Sequence, residues 1–299
     1  MDLDALSSLL IGVGSPHQYL VQDLGEATVY HYTGLTALQG IVTGGDLQLT
    51  HARFSNDYEE GTHGARIAKA AIDACVQDGA LGDEQRGFAG DVGLRFEGIT
   101  PDDVYVCCFC RKDDLLRQWR SYGSNATGVS IAVATAEFQQ MSGPDMPNDL
   151  GLMYLWRVFY EETTQVKIVK ECIDLAFNQA NLSREERLEL AIEALRFFIP
   201  TFKNEAFEDE QEARLVFRPA RNCPVRPEFR VGRGMLVPYY SLKKLAAAVH
   251  NEAWRPPITA VRIGPNPNRE INRDAVRLML NSKGYPKAEV SVSDAPFRG

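Results

Sequence analysis

Long apolar runs are missing from this 299-residue chain: no stretch of 18 or more apolar residues occurs, so a helical membrane span is not expected. Familiar metal and nucleotide signatures are missing as well. The six cysteines supply no paired Cys-x-x-Cys ligand set, and no His-Glu-x-x-His helix occurs, so zinc is not expected. Glycine-rich Gly-x-Gly-x-x-Gly and Walker phosphate loops and a Gly-x-Ser-x-Gly nucleophile elbow are also absent. No internal repeat, low-complexity tract or convincing linker interrupts the chain. The opening residues, MDLDALSSLLIGVG, carry acids where a secretion signal carries basic residues, so export is not expected.

What is present is ordinary for a globular protein, with 44 % apolar and 24 % charged residues. Three cysteines fall inside VYVCCFC, where they read as small hydrophobes in a buried strand and fit a reducing cytoplasm. The net charge of -8 is uneven. Residues 213–299 hold 16 Lys and Arg against 6 Asp and Glu, and residues 1–212 hold 16 against 34. Such a split either offers a basic face to an anionic ligand or nucleic acid, or lets two halves of one domain attract each other. No dense basic run marks a dedicated nucleic-acid module.

Periodicity suggests an α+β fold: a central, mostly antiparallel sheet with flanking helices, in one domain over 1–299. Residues 1–25 read as an N-terminal helical extension on Leu3, Leu6, Leu9 and Leu10. Strands are expected over 29–33, 47–50, 104–110, 129–134, 153–160, 258–263 and 288–292, with a hairpin over 229–238. Helices are expected over 35–42, 58–76, 111–122 (opened by Asp113 or Asp114), 241–249 and 269–282. A helical insert over 162–200, whose second helix starts with the Ser183 and Glu186 capping-box pattern, reads as a lid or a packing layer. The glycine-rich and charged stretch 78–100 reads as a loop with at most one short helix.

The stretch FEDEQEARLVF, residues 207–217, organises the functional reading. As a strand it sets Glu210, Glu212 and Arg214 on one face and Ala213, Leu215 and Phe217 on the other. The apolar row docks on a core and the ionic row faces a cleft or solvent. Two carboxylates about 7 Å apart repel unless a cation intervenes, which Arg214 or a ligand supplies. A charged strand face in water is the plain alternative. His31 and Thr33 share one face of the first strand and Tyr32 points the other way, so His31 either holds a ribose or carboxylate or bonds backbone. Asn56, Asp57, Glu59 and Glu60 crowd a helix N-terminus, where capping explains much of the pattern. Trp119 and Tyr122, three apart on a helix, either stack on a planar ring or fill core.

In order and spacing these pieces resemble a large bacterial family known only as a domain of unknown function. The resemblance runs through His31-Tyr32-Thr33, Asn56-Asp57-Tyr58-Glu59-Glu60, Cys108-Phe109, Trp119 to Tyr122, Lys203 with Phe207, Glu210-Gln211-Glu212-Ala213-Arg214, Ile263-Gly264-Pro265 and Ser293 to Arg298. It departs at Ala213, where an aromatic is usual, and at the acidic stretch 78–98. The chain also resembles, more weakly, the ADP-ribosyltransferase superfamily. That resemblance implies NAD as co-substrate, with His31 on the ribose and Tyr122 on the nicotinamide. Glu212 would stabilise an oxocarbenium-like state and Glu210 would be the acceptor-side carboxylate. Apart from that resemblance, Tyr32, Thr33, Asn56, Asp57, Trp119 and Arg214 are candidates for binding a substrate or cofactor. Two other readings stay open. One is a non-catalytic nucleotide- or anion-binding sensor or effector in bacterial defence or stress. The other is a metal-dependent nuclease using Asp57, Glu59, Glu210 and Glu212. Nothing in the residues sets the oligomeric state.

Overall fold

The computed structural model describes residues 6, 8–9, 28–54, 58–96, 104–139, 141, 147, 149–232, 234–249 and 252–296. Ten strands form one sheet: β1 (Thr28–Thr33), β2 (Gln48–His51), β3 (Tyr105–Cys110), β4 (Val129–Ala134), β5 (Gly151–Arg157), β6 (Glu212–Pro219), β7 (Glu228–Gly232), β8 (Met235–Ser241), β9 (Ile258–Ile263) and β10 (Glu289–Val292). All pairings are antiparallel except β9 with β10. The helices among the described residues are α1 (Leu35–Gly44), α2 (Tyr58–Gln77), α3 (Asp83–Phe96), α4 (Leu116–Ser121), α5 (Ala136–Gln139), α6 (Glu162–Phe177), α7 (Arg184–Phe198), α8 (Leu242–Ala248) and α9 (Arg269–Ser282).

The sheet branches at β3. One edge of β3 pairs along its whole length with β6, from Tyr105↔Phe217 to Cys110↔Glu212, and β6 pairs in turn with β5. The other edge is shared. Its first residues pair with β2, as Thr50↔Val106 and His51↔Tyr105, and its last with β1, as Tyr30↔Cys110. From there one arm continues through β1, β4, β9 and β10, and the other through β2, β8 and β7.

Alternation along the strands sorts the apolar residues onto two faces. Val29, Cys107, Phe109, Ile131, Ala213, Leu215 and Phe217 share a core with α1, α8 and α9. On the other face Val106, Tyr154, Trp156 and Val216 pack under α2, α3, α6 and α7. Cys107 and Cys110 are three apart and so fall on opposite faces, which prevents them from sharing a ligand. All six thiols are free.

Several expectations are corrected. Residues 83–96 form a full helix and not a loop, because Phe88, Ala89, Val92 and Phe96 make a buried stripe that offsets the weak propensity of Gly87, Gly90 and Gly93. Neither Asp113 nor Asp114 caps α4; its N-cap is Leu115 and makes no side-chain cap bond. Asp114 lies in the left-handed region at φ 60° and binds Trp119 Nε1 at 2.8 Å, Asp294 N at 3.0 Å and the Ser293 hydroxyl. The fifth strand ends at Arg157, earlier than the period suggests, and α6 starts at Glu162, where the insert was expected to begin. The capping box of Ser183 with Glu186 is present. The helices α6 and α7 form a packing layer, burying Ile168, Val169, Cys172, Leu190, Leu195 and Phe198. Of the N-terminal extension, Leu6, Ser8 and Leu9 are helical, Leu6 and Leu9 are buried, and the rest of 1–25 lies outside the described residues.

Candidate functional site: a buried ion cluster beneath two tyrosines

The acidic stretch starts as a turn of 3-10 helix, Glu205–Glu210, and becomes strand only at Glu212. Asn204 caps that turn by accepting from Ala206 N at 2.9 Å. Gln211 then takes the left-handed conformation, φ 48° and ψ 46°, and its carbonyl accepts from Arg111 N at 2.7 Å. The Glu210 carbonyl is fixed by Gln118 Nε2 at 3.0 Å and the Cys110 thiol at 3.2 Å. Glu210 therefore reaches its charged neighbours from a turn and not from a strand position, although its carboxylate still joins theirs.

The cation between the two carboxylates is Lys203. Its Nζ donates to Glu210 Oε2 at 2.6 Å and to Glu212 Oε2 at 3.1 Å, and the residue is only 1 % exposed. The lysine backbone is held from behind: its N–H donates to Phe159 O at 3.0 Å, and its carbonyl accepts from Gln165 Nε2 at 2.8 Å. Gln165 is itself buried, donates to Phe159 O at 2.6 Å, and is paired with His63 Nε2 through Oε1 at 3.0 Å. Arg214 grips Glu212 with two bonds, Nε to Oε1 at 2.7 Å and Nη2 to Oε2 at 2.9 Å, and also donates to Pro200 O. The ionic row is thus buried between sheet and helices, where charges persist only if paired.

Burial alone would raise the Glu212 carboxyl, but the Arg214 guanidinium and then Lys203 outweigh it and hold the group down at about 2. The Cys108 thiol faces the same carboxylate and is pushed well up, by burial first and by Glu212 next. Cys110 is pushed up to about 12, again by burial first. Two phenols stand over the cluster. Tyr160 OH accepts the Glu212 N–H at 2.9 Å and is raised by burial and by the Glu212 charge. Tyr122 is raised by burial, with Lys203 opposing and Glu210 and Glu212 adding.

The side of the cluster that reaches solvent is rimmed by Arg117, Phe207, Tyr122 and Tyr160, all partly exposed. Arg117 and Lys203 lie over the Phe207 ring, at 5.3 and 5.2 Å from its centroid. Glu210 Oε1 has no hydrogen bond among the described residues; its nearest cation is Arg117 Nε at 3.7 Å. The Tyr122 hydroxyl makes no hydrogen bond there either.

His31 stands elsewhere. Residues opposite each other on neighbouring strands point to one face, so Tyr30, Cys110 and Glu212 share a row across β1, β3 and β6. His31, the next residue, points to the other face, edge-on to Phe109 at 5.9 Å. Its Nδ1–H donates to Cys108 O at 2.9 Å, and burial lowers its pKa, so the ring is neutral. It caps a carbonyl in the notch where β3 has left β2 and not yet met β1. Thr33 shares the His31 face and pairs with Val129.

Tyr32 lies on the Glu212 face but is occupied. Its hydroxyl donates to Lys112 O at 3.2 Å and accepts from Leu115 N at 3.0 Å, while its ring meets Trp119 edge-on at 4.8 Å. Trp119 is fully buried, so it fills core and offers no ring face to a ligand. Asn56 and Asp57 lie outside the described residues, as do the side chains of Glu59 and Glu60. The structure therefore brings together Glu210, Glu212, Arg214 and Tyr122, and separates His31 and Thr33 from them. Among the described residues no group of three His, Cys, Asp or Glu side chains is placed to hold a metal ion.

Arg117, Tyr160, Cys108 and Gln165 were not foreseen as parts of this cluster. Lys203 carried a signal: one lysine in IPTFKNEAF between Phe202 and Phe207. A second polar group, also unforeseen, ties the C-terminal residues down. Arg262 Nε donates to Asp113 Oδ2 at 2.7 Å and its Nη1 to Val292 O at 3.1 Å.

One family, described as a protein of unknown function (DUF2971), matches residues 118–215. The matched stretch starts at Gln118 and takes in Tyr122, Tyr160, Lys203, Glu210, Glu212 and Arg214, so it spans nearly all of the ion cluster. It is shorter than the stretch from His31 to Arg298 over which the motifs run, and His31 lies outside it. No curated protein and no solved structure matches the chain. No helix among the described residues is long and apolar enough to cross a membrane.

Proposed function

We propose that this chain binds a nucleotide at the rim of the ion cluster, with Arg117 on a phosphate, Glu210 on a ribose hydroxyl and Tyr122 beside the sugar or base. The observation that carries the reading is that two polar groups at the rim have no hydrogen bond among the described residues. Among the described residues Glu210 Oε1, on a side chain 5 % exposed, has no hydrogen bond and only Arg117 Nε at 3.7 Å, and the Tyr122 hydroxyl has no hydrogen bond either. Glu210 Oε1 is open to the rim and free to accept, and a sugar hydroxyl supplies a donor. The same hydroxyl accepts from the phenol. Arg117 is the exposed cation of the rim, and a guanidinium matches a phosphate bidentately. Binding without turnover fits a sensor or effector role.

NAD is the nucleotide suggested by the ADP-ribosyltransferase resemblance, and one observation favours a second reading in which it is cleaved. Glu210, which Arg214 does not grip, keeps one carboxylate oxygen without a hydrogen bond among the described residues, and that oxygen can face a ribose that becomes cationic. In that reaction the bond from ribose C1′ to the nicotinamide nitrogen breaks and nicotinamide leaves with the electron pair. Water adds to C1′ and its proton passes to Glu210. Binding is the better-supported reading, because Glu212 is saturated by Arg214 and Lys203 and His31 points away.

The test is calorimetry and thermal shift of the purified chain with NAD, ADP-ribose and AMP, and NAD turnover alongside. A ligand at one hundred times its Kd adds about 2.7 kcal/mol to stability. Arg117→Ala is expected to weaken binding about tenfold or more, since charge-assisted bonds contribute about 1.5–3 kcal/mol. Glu210→Gln is expected to weaken binding of the ribose-containing ligands. No saturable binding by any of the three ligands sinks the binding reading, and unchanged NAD sinks the cleavage reading.

A further inference from the structure

The free edge of β7 points to a second site of recognition, independent of the ion cluster. β7 is the outermost strand of its arm; it pairs with β8 and, among the described residues, with no other strand. Outer strands in soluble proteins are usually blunted by charge, proline or a bulge. Here the register Phe229↔Pro238 and Val231↔Leu236 lines an apolar row on one face of the hairpin. Phe229 is 58 %, Val231 82 % and Leu236 61 % exposed. Glu228 and Arg230 occupy the other face, with buried Val237 opposite Arg230. The other two outer strands show no such row: β5 is buried along nearly its whole length and β10 is mostly half-buried.

We infer that a second copy of this chain pairs with β7 antiparallel, across a two-fold axis through Phe229, to make a continuous sheet over both copies. Charge selects that occupant and that register. Residues directly opposite point to the same face, so a symmetric pairing must centre on one residue of the strand. Centring on Arg230 sets two guanidinium groups against each other. Centring on Phe229 sets Glu228 against the partner's Arg230 and Arg230 against the partner's Glu228, with the two Phe229 rings meeting on the apolar side. About that centre Glu228, Phe229 and Arg230 meet the partner's Arg230, Phe229 and Glu228, and Val231 comes opposite the partner's Pro227 on the apolar side.

Within the chain both charges are only partly compensated. Glu228 has one carboxylate oxygen 3.0 Å from the exposed ammonium of Lys244. Arg230 lies over Tyr239 at 5.9 Å and donates to Thr50 Oγ1 at 3.1 Å, and its Nη1, itself buried, has no hydrogen-bond partner among the described residues, so the guanidinium must turn outward to meet the partner's Glu228. Burial lowers its pKa, as expected of a guanidinium short of counter-charge.

Sedimentation velocity of the full chain over a micromolar dilution series tests the inference. A monomer–dimer equilibrium is expected. Val231→Lys, at a position 82 % exposed, is expected to give a monomer with an unchanged far-ultraviolet circular dichroism spectrum. Glu228→Arg and Arg230→Glu are each expected to be monomeric alone. Mixed in equal amounts they regain opposite charges at both contacts and are expected to associate again. A wild-type chain that stays monomeric overturns the inference. So does a dimer that survives Val231→Lys, or a mixture no more associated than its components.

Discussion

Lys203→Met is the most discriminating single change at the ion cluster. Wild type places one ammonium between Glu210 and Glu212, all three buried, so the substitution leaves two carboxylates with too little positive charge. Breaking a buried ion pair by removing one partner costs about 3–5 kcal/mol. The loss should depend on pH in a definite direction. In the wild type the Glu212 carboxyl lies at about 2 against an ordinary 4.5, so its contribution is fully present above pH 4.5 and is lost as pH falls toward 2. That displacement corresponds to about 3 kcal/mol, and wild-type stability from this group is flat from pH 8 to pH 5. In the variant the under-compensated pair binds a proton more readily when folded than when unfolded. Its stability therefore rises as pH falls from 8 to 5, and the deficit against wild type narrows. Urea unfolding followed by tryptophan fluorescence at the two pH values measures both. The double variant Lys203→Met with Glu210→Gln should regain much of the loss, because it removes the stranded charge together with its partner. A deficit below about 1 kcal/mol at pH 8, or one that does not change with pH, refutes the view that Lys203 neutralises this pair.

Three further outcomes follow from the same geometry. Tyr160→Phe leaves the Glu212 N–H without its acceptor and should cost about 1–3 kcal/mol in urea unfolding; an unchanged midpoint counts against that bond. Gly128→Ala should lower the melting temperature sharply or abolish folding, since the added Cβ would stand 2.1 Å from Thr33 O and 2.9 Å from Gly123 O, both backbone atoms. Thiol titration of the folded protein with a chromogenic disulfide near neutral pH should be slow at every cysteine, because burial keeps Cys107 and Cys110 protonated by pushing each up to about 12. Rapid release by one thiol would show an accessible thiolate at odds with that burial.

Much of the sheet was readable in the residues because alternation with period two is a local signal. The strands around Val29, Cys107, Ile131 and Val261 and the hairpin through Gly232 and Gly234 are where the pattern places them. The helix at 83–96 was hidden by three glycines, whose low propensity is overcome only by the neighbours that bury Phe88 and Val92. The ionic row was legible as a row but not as buried. Its burial depends on Pro200 and Lys203 at the end of α7, which no local pattern brings to β6. Sidedness was the deeper gap. Each strand announces which of its residues alternate, but not which way its neighbour is turned. That is why His31 and Glu212 could be imagined in one hollow, although the register Tyr30↔Cys110↔Glu212 puts them on opposite faces.

The branching of the sheet at β3 governs when this protein can fold. Neither β1 nor β2 has a neighbour until residues 105–110 have been synthesised, and β3 is unsupported on its far edge until β6 follows a hundred residues later. The outer edge of β2 waits longer still, for β8 at Met235–Ser241. Contacts of such sequence separation form slowly, and an emerging chain keeps its first strands exposed for most of its synthesis. Nascent-chain proteolysis should therefore show protection arriving late and together, once the ribosome has passed the segment that closes the fork.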